Sequence, residues 1–275
     1  MSGLIIKIIS NTFTVLTDKG IIDCKARGKL RNLKITPIVG DNVIIDYNKK
    51  YIIDVLKRKN FLERPTIANI DQALIIVSVK EPNLDLYLLD KLLCIIEFNN
   101  IKPIICFTKL DLLDDVSKIM QLKEYYSNIG YQVFTSLEKE ELKKVFKNKI
   151  SVFTGQSGAG KSTLLNALND NFNLKTDEIS LALGRGKHTT RHVELLPLFN
   201  GMCADTPGFS SLSLKEMSNS DIRDNMIEFN EYKEFCEYKD CMHDLESNCE
   251  IKRQINNKIL KSRYNNYLKF IKKEG

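Results

Sequence analysis

The chain has 275 residues, 43% of them hydrophobic and 28% charged, with a formal net charge of +6. That is the balance of a globular protein long enough for one large domain with small attachments. No uninterrupted apolar run approaches the roughly 18 residues of a membrane-spanning helix. The opening "MSGLIIKIIS" has too short an apolar core for a signal peptide, so a cytoplasmic protein without membrane contact is expected.

Charge is unevenly placed. Residues 1–66 hold 13 Lys/Arg against 6 Asp/Glu, a balance of +7, and residues 250–275 hold 8 against 2, a balance of +6. The middle is therefore at −7. Two basic ends around an acidic middle suggest two contact surfaces for a polyanion.

The first 65 residues read as all-β. "LIIKIIS", "TFTVLTD", "GIIDCKAR", "DNVIIDY" and "YIIDVLKR" are strand-like runs broken by Gly, Asn and Asp turns. Five short strands in a basic segment suit a barrel of the oligonucleotide-binding type, and an SH3-like barrel fits the pattern almost as well. "ERPTIANID" then reads as a linker, with Pro65 ending the barrel. From residue 70 strands alternate with helices. "QALIIVSV", "KPIICF", "YQVFTS", "KISVFTG", "HVELLPLF" and "GMCAD" read as strands. "LDLYLLDKLLCIIEF", with Asp85 near its start, "DVSKIMQLKEYYSNIG", closed by Gly130, "EKEELKKVF" and "KSTLLNAL" read as helices. This alternation calls for a mostly parallel sheet wrapped by helices. Beyond residue 214 the chain reads as helical and charged, with Ile251, Ile255, Ile259, Tyr264, Tyr267 and Ile271 at helical spacing. The expected domains are residues 1–66, 67–213 and 214–275.

"GQSGAGKS" matches G-x-x-x-x-G-K-[ST] in full, with a strand before and a helix after. Gly155, Gly158 and Gly160, with Gln156, Ser157 and Ala159 between them, let backbone N–H groups turn toward a β-phosphate. The helix N-terminus adds its positive dipole end. Lys161 should reach the β- and γ-phosphate oxygens, Ser162 should bind Mg²⁺, and Thr163 completes the loop. Some fifty residues on, "ADTPGF" follows an apolar strand. There Asp205 is placed to hold Mg²⁺ through water, and the Gly208 N–H to bond a γ-phosphate. Between these two elements, the polar "GRGKHTTRH" offers Thr189 or Thr190 to Mg²⁺ and the γ-phosphate.

Upstream of all this, "CFTKLD" closes a strand. Asp111 can accept two hydrogen bonds from the N1 and N2 donors of guanine, the Lys109 stem can lie across the base, and Thr108 opens the turn. Ser136, ending the next strand, can add a backbone N–H to the guanine O6. Both loops lie on the strand C-terminal edge, where ligands bind in such sheets. The order, however, is reversed: the base-reading loop precedes the phosphate loop.

Base loop, phosphate loop, switch I and switch II in that order form a circular permutation of the usual GTPase. With an N-terminal barrel, the runs "VGDNV", "FTKLDLL", "GQSGAGKSTLLN", "GRGKHTTRHVEL" and "DTPGF", and a terminal C-x4-C-x-H-x5-C, the chain resembles the ribosome small subunit-dependent GTPase A family. The resemblance covers nearly the whole chain. It implies a barrel of the oligonucleotide-binding type, a central permuted P-loop GTPase domain of α/β class and a helical zinc-binding tail. It also implies a monomeric GTP hydrolase stimulated by the 30S subunit in its late maturation, with rRNA contacts by barrel and tail, GTP with Mg²⁺, and one Zn²⁺.

Zn²⁺ is implied at Cys236, Cys241, His243 and Cys249. Three thiolates and an imidazole form a closed tetrahedral set that this ion favours. The other four cysteines, Cys24, Cys94, Cys106 and Cys203, are scattered and read as reduced thiols. Phe209 stands where Ras-like enzymes carry a water-orienting glutamine, a replacement the family shares, and it implies weak intrinsic hydrolysis. His188, beside the switch I threonines, is the candidate for positioning water. Two other functions fit parts of the pattern: a P-loop small-molecule kinase, and a passive RNA-binding protein with structural nucleotide.

Overall fold

Period-two alternation places Ile5, Phe13, Val15, Cys24, Val43, Ile45 and Ile52 on the inner side of five short strands, and all are buried. The strands are β1 (Ser2–Ile9), β2 (Thr12–Thr17), β3 (Gly20–Ala26), β4 (Asn42–Asp46) and β5 (Tyr51–Val55). The structure is a computed structural model that describes residues 1–28, 35–63, 66–168, 193–205 and 213–273. β1 pairs with β2 and β4, β2 with β3, β3 with β5 in parallel, and β5 with β4. This closed Greek-key order is that of the oligonucleotide-binding barrel, and it decides against the SH3-like alternative.

The run "VGDNV" has a steric and an ionic reason. Gly40 sits at φ +87, and a Cβ there would lie 2.1 Å from Ala68 O. Asp41 is fully buried and accepts the Arg58 guanidinium fork at 2.7 and 2.8 Å.

The described residues of the segment expected to be a linker are folded, and Pro65, expected to end the barrel, lies outside them. β6 (Phe61–Glu63) and β7 (Thr66–Ala68) pair antiparallel. Asn60 donates to Ile70 O at 2.7 Å and accepts the Ile70 N–H at 2.9 Å. Asn69, at φ +57, donates to Gly40 O at 2.8 Å. Side-chain amides thus satisfy buried backbone groups that a free linker would leave to water.

β8 (Gln72–Ser78) is buried at every position, the mark of a strand covered on both faces. Its first residues belong to one compact unit of the chain, comprising Met1–Leu74, Glu138–Thr154 and Lys161–Phe209. Its last residues belong to a second, comprising Ile75–Leu137, Gly155–Gly160 and Ser210–Gly275. In the second unit follow α1 (Leu86–Phe98), β9 (Lys102–Thr108), α2 (Ser117–Asn128) and β10 (Gln132–Thr135). Asp85 caps α1 by accepting the Leu88 N–H at 2.9 Å. Gly130, at φ +111, follows the end of α2. β9 and β10 run parallel, with Phe107 opposite Thr135.

The first unit adds α3 (Lys139–Lys144), β11 (Ile150–Gly155), α4 (Lys161–Leu168), β12 (Glu194–Leu198) and β13 (Gly201–Asp205). β11 and β13 are parallel, whereas β12 and β13 form a hairpin. The hairpin turns through Phe199 and Asn200 at φ +47 and +60, the primed geometry that matches strand twist. β12 also meets β1 antiparallel, with Lys7 opposite Glu194 and their side chains ion-paired at 2.9 Å. Within this unit, then, the barrel is hydrogen-bonded to the hairpin that ends at Asp205.

The tail, in the second unit, contains α5 (Asn219–Asp224), α6 (Glu250–Arg253) and α7 (Lys261–Ile271), with 3-10 turns at Leu214–Glu216, Ile227–Glu231 and Lys233–Phe235. Ser218 and Asp221 form a capping box at the start of α5. The helical spacing expected through residues 251–271 is interrupted. Ile255 and Ile259 face each other across a turn, and Asn256 there is at φ +65. The break lets Ile251 on α6 and Tyr267 on α7 enter one core with Met226 and Phe229.

Arg263, counted from the sequence as part of a basic surface, is fully buried. It donates to Asp90 at 2.7 Å and to Glu228 at 2.9 Å, and lies 5.7 Å from the rings of both Tyr126 and Tyr131. Asp90 also accepts from the Tyr126 hydroxyl and the Asn266 amide, each at 2.7 Å. α7 is thereby tied to α1 and α2 by a saturated polar network.

Candidate functional site

β9 ends at Thr108 and the chain turns at once. Lys109 adopts φ +62, and Leu110–Leu112 form a 3-10 turn that leaves Asp111 exposed. Thr108 is buried, and its hydroxyl donates to Ala159 O at 2.6 Å. A side chain of the base-type loop therefore holds the backbone of the phosphate-type loop directly. The Lys109 ammonium donates to Glu81 O. Its stem passes close to the second loop, since a Cβ on Gly160 would lie 4.0 Å from Lys109 Cε. Lys80 adds a hydrogen bond to Leu112 O at 3.0 Å.

Three glycines shape the phosphate-type loop: Gly155, Gly158 and Gly160 have φ of +133, +76 and +87. Gly155 is fixed sterically as well, because a Cβ there would meet Ile76 O at 2.2 Å. Between them Gln156 O accepts the Ala159 N–H at 3.2 Å, and Ala159 is buried. Lys161 and Ser162 open α4 with half-buried side chains, and Thr163 is exposed. A loop of this shape ending in a helix N-terminus is suited to an anion. Asp205 ends β13, which runs parallel to β11.

The Ser136 N–H donates to Phe107 O at 2.8 Å, extending the pairing of β10 with β9 by a residue. That N–H is thus engaged within the sheet. His188, Thr189, Thr190 and Gly208 lie outside the described residues.

The four residues of the terminal cluster do converge. The ligand atoms of Cys236, Cys241, His243 and Cys249 lie within 4.8 Å of one another. His243 Nδ1 is 3.3 Å from Cys249 Sγ and 3.7 Å from Cys236 Sγ. Tetrahedral zinc, with bonds of about 2.3 Å to sulfur and about 2.0 Å to nitrogen, separates those atoms by about 3.5 Å. The donor set thus fits one zinc ion. Burial pushes the His243 pKa down to about 4, which keeps the imidazole neutral and able to bind metal. Burial, reinforced by the neighbouring thiols, pushes Cys241 up to about 12, so a dication among these sulfurs is what would favour the thiolates. The cluster is buttressed: Tyr264 donates to His243 O at 2.6 Å, and Phe229 meets the imidazole edge-on at 5.4 Å.

Sequence reasoning did not find the Thr108 contact to Ala159, nor the union of Asp90, Glu228 and Arg263. The first pairs loops 51 residues apart, and the second spans 173 residues with no shared motif.

A glycine-rich loop between strand and helix, tied to a Thr-Lys-x-Asp turn that precedes it in the chain, defines a P-loop nucleotide-binding protein of permuted order. Residues 55–215 match the family described as RsgA GTPase, and residues 2–51 match the RsgA N-terminal domain. The small ribosomal subunit biogenesis GTPase RsgA 2 of Oceanobacillus iheyensis is 46% identical over 280 residues, covering 98% of this chain and 96% of that protein. The corresponding GTPase RsgA of Enterococcus faecalis is 43% identical, covering 98% and 94%. Among solved structures, YloQ, a circularly permuted GTPase, superposes with a TM-score of 0.84 at 35% identity, covering 99% of this chain and 94% of that one. YjeQ from Thermotoga maritima gives 0.85 at 34% identity, covering 99% and 98%. The chain belongs to the RsgA GTPase family and is a GTP-hydrolysing enzyme.

Proposed function

We propose that this chain hydrolyses GTP to GDP and phosphate during late maturation of the small ribosomal subunit, that the subunit stimulates the reaction, and that barrel and tail contact its rRNA. The observation that carries the nucleotide reading is the Thr108–Ala159 hydrogen bond, which joins a guanine-type loop to a phosphate-type loop. The names of the two relatives, small ribosomal subunit biogenesis GTPases, support the pathway. The basic balance of residues 1–66 and 250–275 supports the rRNA contacts.

In this reading Asp111 accepts the guanine N1 and N2 donors while the Lys109 stem covers the base. Thr108 positions the two loops against each other. The N–H groups of residues 155–160 and the Lys161 ammonium hold the β- and γ-phosphates. Ser162, Asp205 and Thr190 hold Mg²⁺, which neutralises phosphate charge when bound. Thr189 and Gly208 offer N–H groups to the γ-phosphate, and His188 positions the attacking water, because Phe209 has no group that can. The division of labour is barrel 1–66, permuted GTPase domain 67–213 and zinc-bearing tail 214–275. The protein works as a cytoplasmic monomer.

The test compares GTP and ATP hydrolysis with and without purified 30S subunits. We expect turnover of GTP alone, raised by the subunit on the order of tenfold or more. Efficient ATP turnover would favour a small-molecule kinase, and indifference to 30S a passive RNA-binding protein. Asp111→Asn should weaken GTP binding and admit xanthosine triphosphate, because the amide offers a donor where guanine needs an acceptor.

A further inference from the structure

The loops that carry the metal ligands have the wrong charge for nucleic acid. Residues 231–250 hold 7 Asp/Glu against 2 Lys. Glu231, Glu234, Glu237 and Asp240 among them are exposed. A dication held by three thiolates and a neutral imidazole would carry one further negative charge. Residues 251–273, by contrast, hold 8 Lys/Arg and no acidic residue, of which only Arg263 is buried. The tail is therefore divided into an acidic knuckle and a basic stretch.

The knuckle also exposes large apolar side chains. Leu245 is 90% exposed, Phe235 71% and Tyr238 50%. Their loops are framed by hydrogen bonds. Tyr238 O accepts the Cys241 N–H at 3.2 Å, and the Asn248 amide donates to Glu237 at 2.8 Å. Glu246 accepts the Met242 and Asp244 N–H groups at 2.7 and 3.0 Å. Apolar surface held out on a fixed frame gains free energy only when something covers it. Phe235 and Tyr238 have the π-faces of a base-stacking platform, but such platforms lie in basic grooves that follow the phosphates. Phosphates beside Glu234, Glu237 and Asp240 would be repelled.

We propose that this knuckle docks a lysine- and arginine-rich protein segment whose apolar side chains cover Leu245 and Phe235, leaving RNA to the basic stretch. The inference rests on the proposed function, which supplies the small subunit, with its proteins and its RNA, as the partner.

The experiment measures affinity of the full-length, zinc-loaded protein for purified 30S subunits and for protein-free 16S rRNA. Leu245→Asp and Phe235→Asp are each expected to weaken 30S binding on the order of tenfold or more. Affinity for bare 16S rRNA, zinc content and GTP affinity should stay unchanged. Glu234→Lys combined with Asp240→Lys should also weaken 30S binding, whereas an RNA partner would bind this variant more tightly. Parallel loss on bare rRNA, tightening by the lysines, or unchanged 30S binding by all variants would overturn the proposal. If the wild-type chain binds 30S and the variants match it, this inference falls alone. If the wild type does not bind 30S, the proposed function falls with it.

Discussion

The barrel and the tail are both small, yet different physics holds each. The barrel closes on itself through strand ladders around Ile5, Val15, Val43 and Ile52, each fully buried. Its stability is spread over many backbone hydrogen bonds and apolar contacts. The tail has its own core around Phe229, Tyr267 and Phe270, but its loops converge on four metal-type ligands and its last helix on one guanidinium. Stability concentrated in a few polar groups is vulnerable to single changes, because each partner left behind is buried and unpaired.

The largest expected effect is loss of the metal. Structural zinc in small domains contributes an apparent ~10–16 kcal/mol. Cys249→Ser, or chelation, should release the ion and strip hydrogen-exchange protection from residues 231–253, while the barrel strands stay protected. Barrel strands losing protection together with the knuckle would erase the contrast.

Next comes Arg263→Ala, which leaves Asp90 and Glu228 buried without a cation. Breaking a buried pair from one side costs about 3–5 kcal/mol. Urea denaturation followed by a probe in the tail should show that loss. A cost under about 1 kcal/mol, the range of exposed pairs, would mean that water reaches the network.

The smallest effect is set for the barrel. Ile52→Val removes one methylene group from a fully buried site and should cost about 0.5–1.5 kcal/mol. A larger cost would mean that the barrel, too, hangs on single residues.

Legibility follows the same division. The phosphate loop and the Thr-Lys-x-Asp turn were readable because each needs only its chain neighbours: a strand before, glycines where φ must be positive, and a helix or turn after. The cluster Cys236, Cys241, His243 and Cys249 was readable because its ligands are close in sequence. Arg263 was misread as surface charge, since nothing near it signals Asp90 or Glu228. Residues 66–71 read as part of a linker because Asn and Asp mark turns equally well in a free segment and in one whose amides bind buried backbone. The interruption between α6 and α7 was hidden by isoleucines that keep helical spacing across it.

The sequence by itself determined the nucleotide loops, their permuted order and the grouping of three cysteines with one histidine, because these patterns are written in short runs whose geometry the local chain dictates. The tertiary structure alone decided three things: which barrel the five strands close into, that Thr108 grips Ala159, and that Arg263 is enclosed. Each depends on which distant segments meet. Local alternation is the same for either barrel, and a buried arginine reads like an exposed one until its partners arrive.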